Sequence, residues 1–174
     1  MTESTPSDLF PASKSEEWYT PPKYIGAACE VLGGIDLDPA SCATANKTVG
    51  AKRYFDLTID GLTQPWVGRV WINPPYGGKQ IAFIDKLLSE YDKGNVTSAI
   101  LLLKAYGLDA KWFRPLWDHL LCFTNHRINF SSPDIGAGSY PGHSNVFVYL
   151  GRDWPRFREV FQRFGIIVSR YDGV

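Results

Sequence analysis

"VWINPPYGG" runs from Val70 to Gly78, and its reading settles the architecture. A short β-prone run meets two prolines. Proline lacks an N–H and fixes its own φ, so a strand has to end at Pro74. Directly behind it, "KQIAFIDKLLSEYDKG" carries Ile81, Ile84, Leu87, Leu88 and Tyr91 at helical spacing, with Gly94 as a stop. "TSAILLL" follows as an uninterrupted apolar run, the pattern of a strand buried on both faces. Strand, helix and buried strand in that order form a βαβ unit and predict a mostly parallel sheet.

The same alternation continues outward. Upstream, "TPPKYIGAACEVLGG" reads as a helix with Thr20 as N-cap and Pro21 at the first helical position. "IDLD" reads as a short strand ending in acid, "SCATANKTV" as one or two helical turns, and "RYF" as a weak strand. Downstream, "DAKWFRPLWDHL" reads as a helix kinked or divided at Pro115. "LLCF", "RINF" and "NVFVYL" read as strands, "PRFREVFQRF" as a helix and "GIIVS" as a last strand. The late strands lack intervening helices, which predicts an antiparallel addition at one edge of an α/β sheet with helices on both faces. Ligands of such sheets bind beyond the carboxyl ends of the strands. "IDLD" and "VWINPPY" both end in polar residues there.

The chain has 174 residues, enough for one domain with a full core. Residues 1–16 are polar, with scattered Ser, Thr and Pro, and read as a loose arm; residues 17–174 read as a single domain. Eighteen basic residues balance eighteen acidic ones, so a nucleic-acid partner has to be met by a local patch rather than a global field. Three widely spaced cysteines (Cys29, Cys42, Cys122) predict no disulfide framework and a reducing compartment. The opening residues lack a signal peptide's basic start and apolar core, and no apolar run reaches membrane-spanning length. These features predict a cytoplasmic protein. His119, Cys122 and His126 lie close together without a fourth ligand of recognisable spacing, so no metal is expected.

An asparagine before two prolines and a tyrosine after them suit one chemistry. The nitrogen of a nucleobase exocyclic amine is a poor nucleophile, because its lone pair is delocalised into the ring. Two acceptors taking both N–H protons would draw it toward tetrahedral geometry. The side-chain oxygen of Asn73 and the backbone carbonyl of Pro74 are candidates; Pro75 removes a competing donor and stiffens the carbonyl, and Tyr76 would stack on the base. The same stretch also reads as a plain strand terminator with an aromatic packed over it.

"NPPY" after an apolar strand matches the catalytic tetrapeptide of amino-methyltransferases acting on DNA bases. With "EEWYTPPKYI", "IDLDPASCATANK", "DGLTQPW", "AKWFRPLW" and "HRINF", the chain resembles the phage-encoded DNA N6-adenine methyltransferase (phage Dam-like) family over about residues 17–150. That resemblance implies a Rossmann-like methyltransferase fold, S-adenosylmethionine as methyl donor and double-stranded DNA as substrate, with the target base extruded from the helix. In place of a glycine-rich loop stands Asp38-Pro39-Ala40-Ser41, whose small residues would let the donor approach the backbone. Asp38, or Asp36 two residues earlier, would hold the donor's ammonium, and Asp56 its ribose. Asp60 looks like the family's position near the donor's adenine. Thr20 and Pro21 resemble a segment that folds over the donor. Every one of these also reads as an ordinary cap or turn residue. For DNA, the resemblance points to Arg127 on a phosphate and Phe130 against the base; Lys104 is a further phosphate candidate. Cytosine N4 methylation, or a non-catalytic binding protein that kept the fold, are the alternatives.

Overall fold

A computed structural model describes residues 18–132, 136–139 and 143–170. The proposed arm at 1–16, and part of the polar loop between Ser131 and His143, lie outside them. Among the described residues nine strands and four α-helices follow in chain order: α1 (Pro22–Leu32), β1 (Leu37–Asp38), α2 (Ala43–Val49), β2 (Arg53–Tyr54), β3 (Gly68–Ile72), α3 (Gly78–Asp92), β4 (Val96–Lys104), β5 (Leu120–Thr124), β6 (Phe130–Ser132), β7 (Gly136–Ser139), β8 (Asn145–Leu150), α4 (Trp154–Phe161) and β9 (Gly165–Val168).

Seven strands form one sheet in the order β2-β1-β3-β4-β8-β5-β9, and β6 pairs with β7 beside it. The β2-β1-β3-β4 half is parallel. In the other half β8 runs antiparallel to both β4 and β5, and β9 antiparallel to β5. The fold is mixed α/β, of the Rossmann-like type the sequence predicts. The predicted antiparallel edge is present as β9, and the antiparallel part also reaches inward, because β8 inserts between β4 and β5. NVFVYL is buried at all six positions, which suits an interior strand and not a rim.

Period-2 alternation divides the core between two faces. Ile100 and Leu102 of β4 join Trp71, Cys122, Phe147 and Tyr149 under α1 and α4. Ala99, Leu101 and Leu103 join Val70, Ile72, Leu121 and Val148 under α3. Helices therefore cover both faces.

Two helix readings change. Pro21, not Thr20, is the N-cap of α1, and no side chain caps that end; the Thr20 hydroxyl is engaged elsewhere. "DAKWFRPLWDHL" forms only a 3-10 turn at Arg114–Asp118. Proline's missing N–H disrupts an α-helix there, and the rings of Trp112, Phe113 and Trp117 lock the segment by edge-on packing instead.

Candidate active site

β1 and β3 are adjacent and parallel, so the residues that follow them emerge together at one edge of the sheet. A pocket of about 410 Å³ opens there, within the ordinary range for small-molecule sites. Pro39, Ala40, Ser41 and Cys42 from the turn after β1 form one wall. Asp56, Leu57, Asp60, Gly61 and Leu62 form a second, and Asn73 to Tyr76, after β3, form a third with Lys79 and Phe83 of α3. Trp18 and Tyr19 complete the lining. Gly61 is required for closure, because a Cβ on it would collide with the Pro39 carbonyl. The Trp66 indole N–H, donating to the Gly61 carbonyl at 2.8 Å, pins the same approach.

Asn73 is fixed in one orientation. Its amide nitrogen donates to the Trp18 carbonyl at 3.2 Å and to Thr20 Oγ1 at 3.5 Å. Its Oδ1 is buried and has no partner. Gln80 Oε1, Ser132 Oγ and Asn145 Oδ1 are orphaned in the same way elsewhere among the described residues; what sets Asn73 apart from them is that it lines the pocket. Tyr76 carries Lys104 over its ring, with Nζ 3.7 Å from the centroid. Burial raises the Tyr76 phenol above its usual range, and the nearby Tyr106 adds to the rise. Burial also lowers the Lys104 ammonium. Among the described residues no carboxylate pairs with that lysine.

The acids divide. Asp38 is 3% exposed; burial pushes its carboxyl up to about 7, against the lowering effects of the Ala40 N–H that it accepts and of the Ser41 hydroxyl. Asp36 faces away from the pocket lining, held by Arg69 at 2.7 Å and Lys52 at 2.9 Å. The Arg69 guanidinium holds its carboxyl well below the usual carboxylate range. Asp56 and Asp60 do line the pocket and also shape its rim. Asp56 Oδ1 accepts from Thr58 and Ile59, which lowers its pKa, the Thr58 hydroxyl contributing most. Asp60 Oδ1 accepts the Leu62 N–H at 3.0 Å.

Thr20 and Pro21 do not line the pocket; Thr20 is buried behind Asn73. Phe130 is 1% exposed, packed in the core under α1 with Ile128 and Tyr24. It presents no ring to a ligand, because its strand turns that residue inward. Arg127 is exposed. The sequence reading missed Trp18, Tyr19, Lys79 and Tyr106. Tyr106 is 46% exposed, two residues beyond Lys104, with its ring against Trp112 and His143. Its position just past a buried strand, on the same sheet edge as NPPY, was a usable signal. Among the described residues no set of three His, Cys, Asp or Glu side chains is placed to hold a metal, and no helix is long and apolar enough to cross a membrane.

A mixed α/β sheet with a pocket at its carboxyl end, an orphaned amide oxygen and a paired-proline turn in its lining places the molecule among Rossmann-like α/β proteins. The family is narrower still. The sequence model for DNA N-6-adenine-methyltransferase (Dam) matches residues 8–172, nearly the whole chain, and the protein belongs to that family. A search of curated proteins gave no match.

Proposed function

We propose that the protein transfers a methyl group from S-adenosylmethionine to the N6 amine of adenine in double-stranded DNA, with Asn73-Pro74-Pro75-Tyr76 as its active site. The observation that carries this reading is Asn73 Oδ1, buried, oriented and without a donor at the pocket. Family membership supports the adenine target.

S-adenosylmethionine, when bound, supplies an electrophilic methyl group. The pocket suits such a donor on two grounds: its volume, and the orphaned Asn73 Oδ1 in its lining, with small Ala40 and Ser41 in the facing wall. Pro39, Ala40 and Ser41 would hold the amino-acid part. Asp38, immediately behind that wall, would ionise against the incoming cation, since a nearby positive charge lowers a carboxyl pKa. Asp56 and Asp60 would take the nucleoside end; all the hydrogen bonds of Asp56 converge on Oδ1, which leaves Oδ2 to accept a ribose hydroxyl.

Asn73 Oδ1 and the Pro74 carbonyl would accept the two N–H bonds of the target amine and localise its lone pair. Both are fixed in place before substrate arrives, so little reorganisation accompanies reaction. The extra proton on the methylated nitrogen is acidic and leaves to solvent without a strong base. Extruding the base costs a few kcal/mol, which stacking on Tyr76 would offset. Lys104 and Arg127 would meet phosphates.

Labelled methyl transfer to unmethylated duplex DNA, followed by nucleoside analysis, tests the reading. N6-methyladenine is the expected product. N4-methylcytosine would redirect it to the other amine. Donor binding without any transfer would make the chain a non-catalytic binder.

A further inference from the structure

Three residues upstream of α1 act on the site without belonging to its pocket walls as a set. Trp18, Tyr19 and Thr20 form a strap across the back of Asn73. The strap is itself held: Tyr19 exchanges two backbone hydrogen bonds with Ser131 of β6, at 2.8 and 3.2 Å. Its two acceptors, the Trp18 carbonyl and Thr20 Oγ1, both face the Asn73 amide nitrogen. A backbone carbonyl can only accept. Position 73 therefore has to present a donor on that side, and the second atom of the same group is turned to the pocket with nothing bonded to it.

We propose that this strap is a positioning element for methyl transfer: Thr20 is a positioning residue that aims Asn73 Oδ1, and the strap makes an amide, not a carboxylate, the group that works at position 73 in this chain. The inference rests on the function proposed above, in which Asn73 Oδ1 accepts from the target amine. It adds a constraint which that reading alone does not contain. A carboxylate accepts from an amine at least as well as an amide does, so the acceptor role by itself predicts that Asn73→Asp stays active. The strap predicts the reverse. A carboxylate would set an anionic oxygen against the Trp18 carbonyl, which cannot donate; the Thr20 hydroxyl could turn to donate to it, but the repulsion at the carbonyl would pull the side chain out of its aim. Thr20 is 8% exposed and does not line the pocket, so its hydroxyl reaches the reaction through Asn73.

The test measures methylation of duplex DNA at saturating donor and DNA for the unmutated protein, Thr20→Val, Thr20→Ser and Asn73→Asp. Donor affinity by calorimetry and melting temperature are recorded beside each rate. Thr20→Val keeps the side-chain volume and loses one neutral hydrogen bond, so kcat should fall about 2- to 10-fold, with KM for DNA and Kd for donor unchanged. Thr20→Ser should restore the rate. Asn73→Asp should lose about 100-fold or more in kcat, the scale seen when one preorganised transition-state contact is removed, while still binding donor. Near-normal turnover in Asn73→Asp overturns the inference. A Thr20→Val protein with full kcat, one whose loss follows its melting temperature, or one that weakens donor binding instead, overturns it as well. If the unmutated protein methylates no adenine, the function reading fails and the inference with it; an active protein indifferent to these substitutions sinks the inference alone.

Discussion

Asp36 and Asp38 stand two residues apart at opposite ends of the shortest interior strand, and the fold treats them as different chemical groups. At the amino end Asp36 is saturated: Arg69 donates through its backbone N–H, Nε and Nη2, and Lys52 adds an ion pair. Arg69 also donates to the Leu32 carbonyl. At the carboxyl end Asp38 is buried, with the Ala40 N–H and the Ser41 hydroxyl beside it and no cation, and Asn73 Oδ1 at the same sheet edge has no partner. One end closes its polar interactions within the protein. The other leaves a carboxyl without a counter-charge and an amide oxygen without a donor, and such groups are where a ligand completes the structure.

Substitutions at the two ends should separate activity from stability. The largest expected effect is at the open end. Asn73→Ala should reduce methyl transfer about 100- to 1000-fold, with donor affinity and melting temperature near those of the unmutated protein. A matching loss of stability would mean that the end is structural like its counterpart.

The next effect depends on pH, with opposite signs at the two acids. The carboxyl of Asp38 is raised to about 7 by burial, so its contribution to stability is present below about pH 4, the unfolded value, and is lost as pH rises through 7. Asp38→Asn removes that loss. Melting curves should show the variant gaining on the unmutated protein between pH 5 and pH 8, on the order of 3 kcal/mol. Bound S-adenosylmethionine should narrow the gap, because ionised Asp38 then gains a cation. For Asp36, lowered by Arg69, stability is present above about pH 4 and lost as pH falls below it. Asp36→Ala should cost about 2 kcal/mol at neutral pH, a charged hydrogen bond being worth about 1.5–3 kcal/mol. That corresponds to roughly 4–8 °C in melting temperature, and the penalty should vanish in acid. Equal profiles for the two variants would erase the distinction between the ends.

The smallest effect concerns the outer rim of the open end. Lys104→Ala removes the cation over Tyr76, and binding to duplex DNA should weaken while its salt dependence loses about one unit of slope. An unchanged slope would leave Lys104 as packing for the tyrosine alone.

Much of this was legible in the chain. β3, α3 and β4 follow from the stop at Pro74, the helical spacing behind it and the apolar run after that, because each is a local pattern. The paired-proline turn that lines the pocket was legible for the same reason. Roles that depend on distant partners were not. Asp36 and Asp38 look alike until Arg69 and Lys52 reach one and core packing covers the other. Phe130 was set against the base by the family resemblance alone, yet it is packed in the core. Thr20 was read as cap and flap, and Trp18 was not singled out, since nothing local shows that they meet Asn73, more than fifty residues later. The insertion of β8 was hidden as well: a fully apolar strand announces burial but not its neighbours.

That insertion sets when the protein can exist. The partner strand of β4 on its far side is β8, which is made only after β5 and the β6–β7 hairpin. Loop-closure entropy for this long-range pairing is spent before any contact rewards it, a feature of slow-folding topologies. A nascent chain that has already emerged through the NPPY turn still has β4 open along one side, an apolar edge of the kind that invites aggregation. On the growing chain, the NPPY turn therefore precedes the sheet that holds it, and the methylating activity proposed here should appear only once synthesis has passed Leu150.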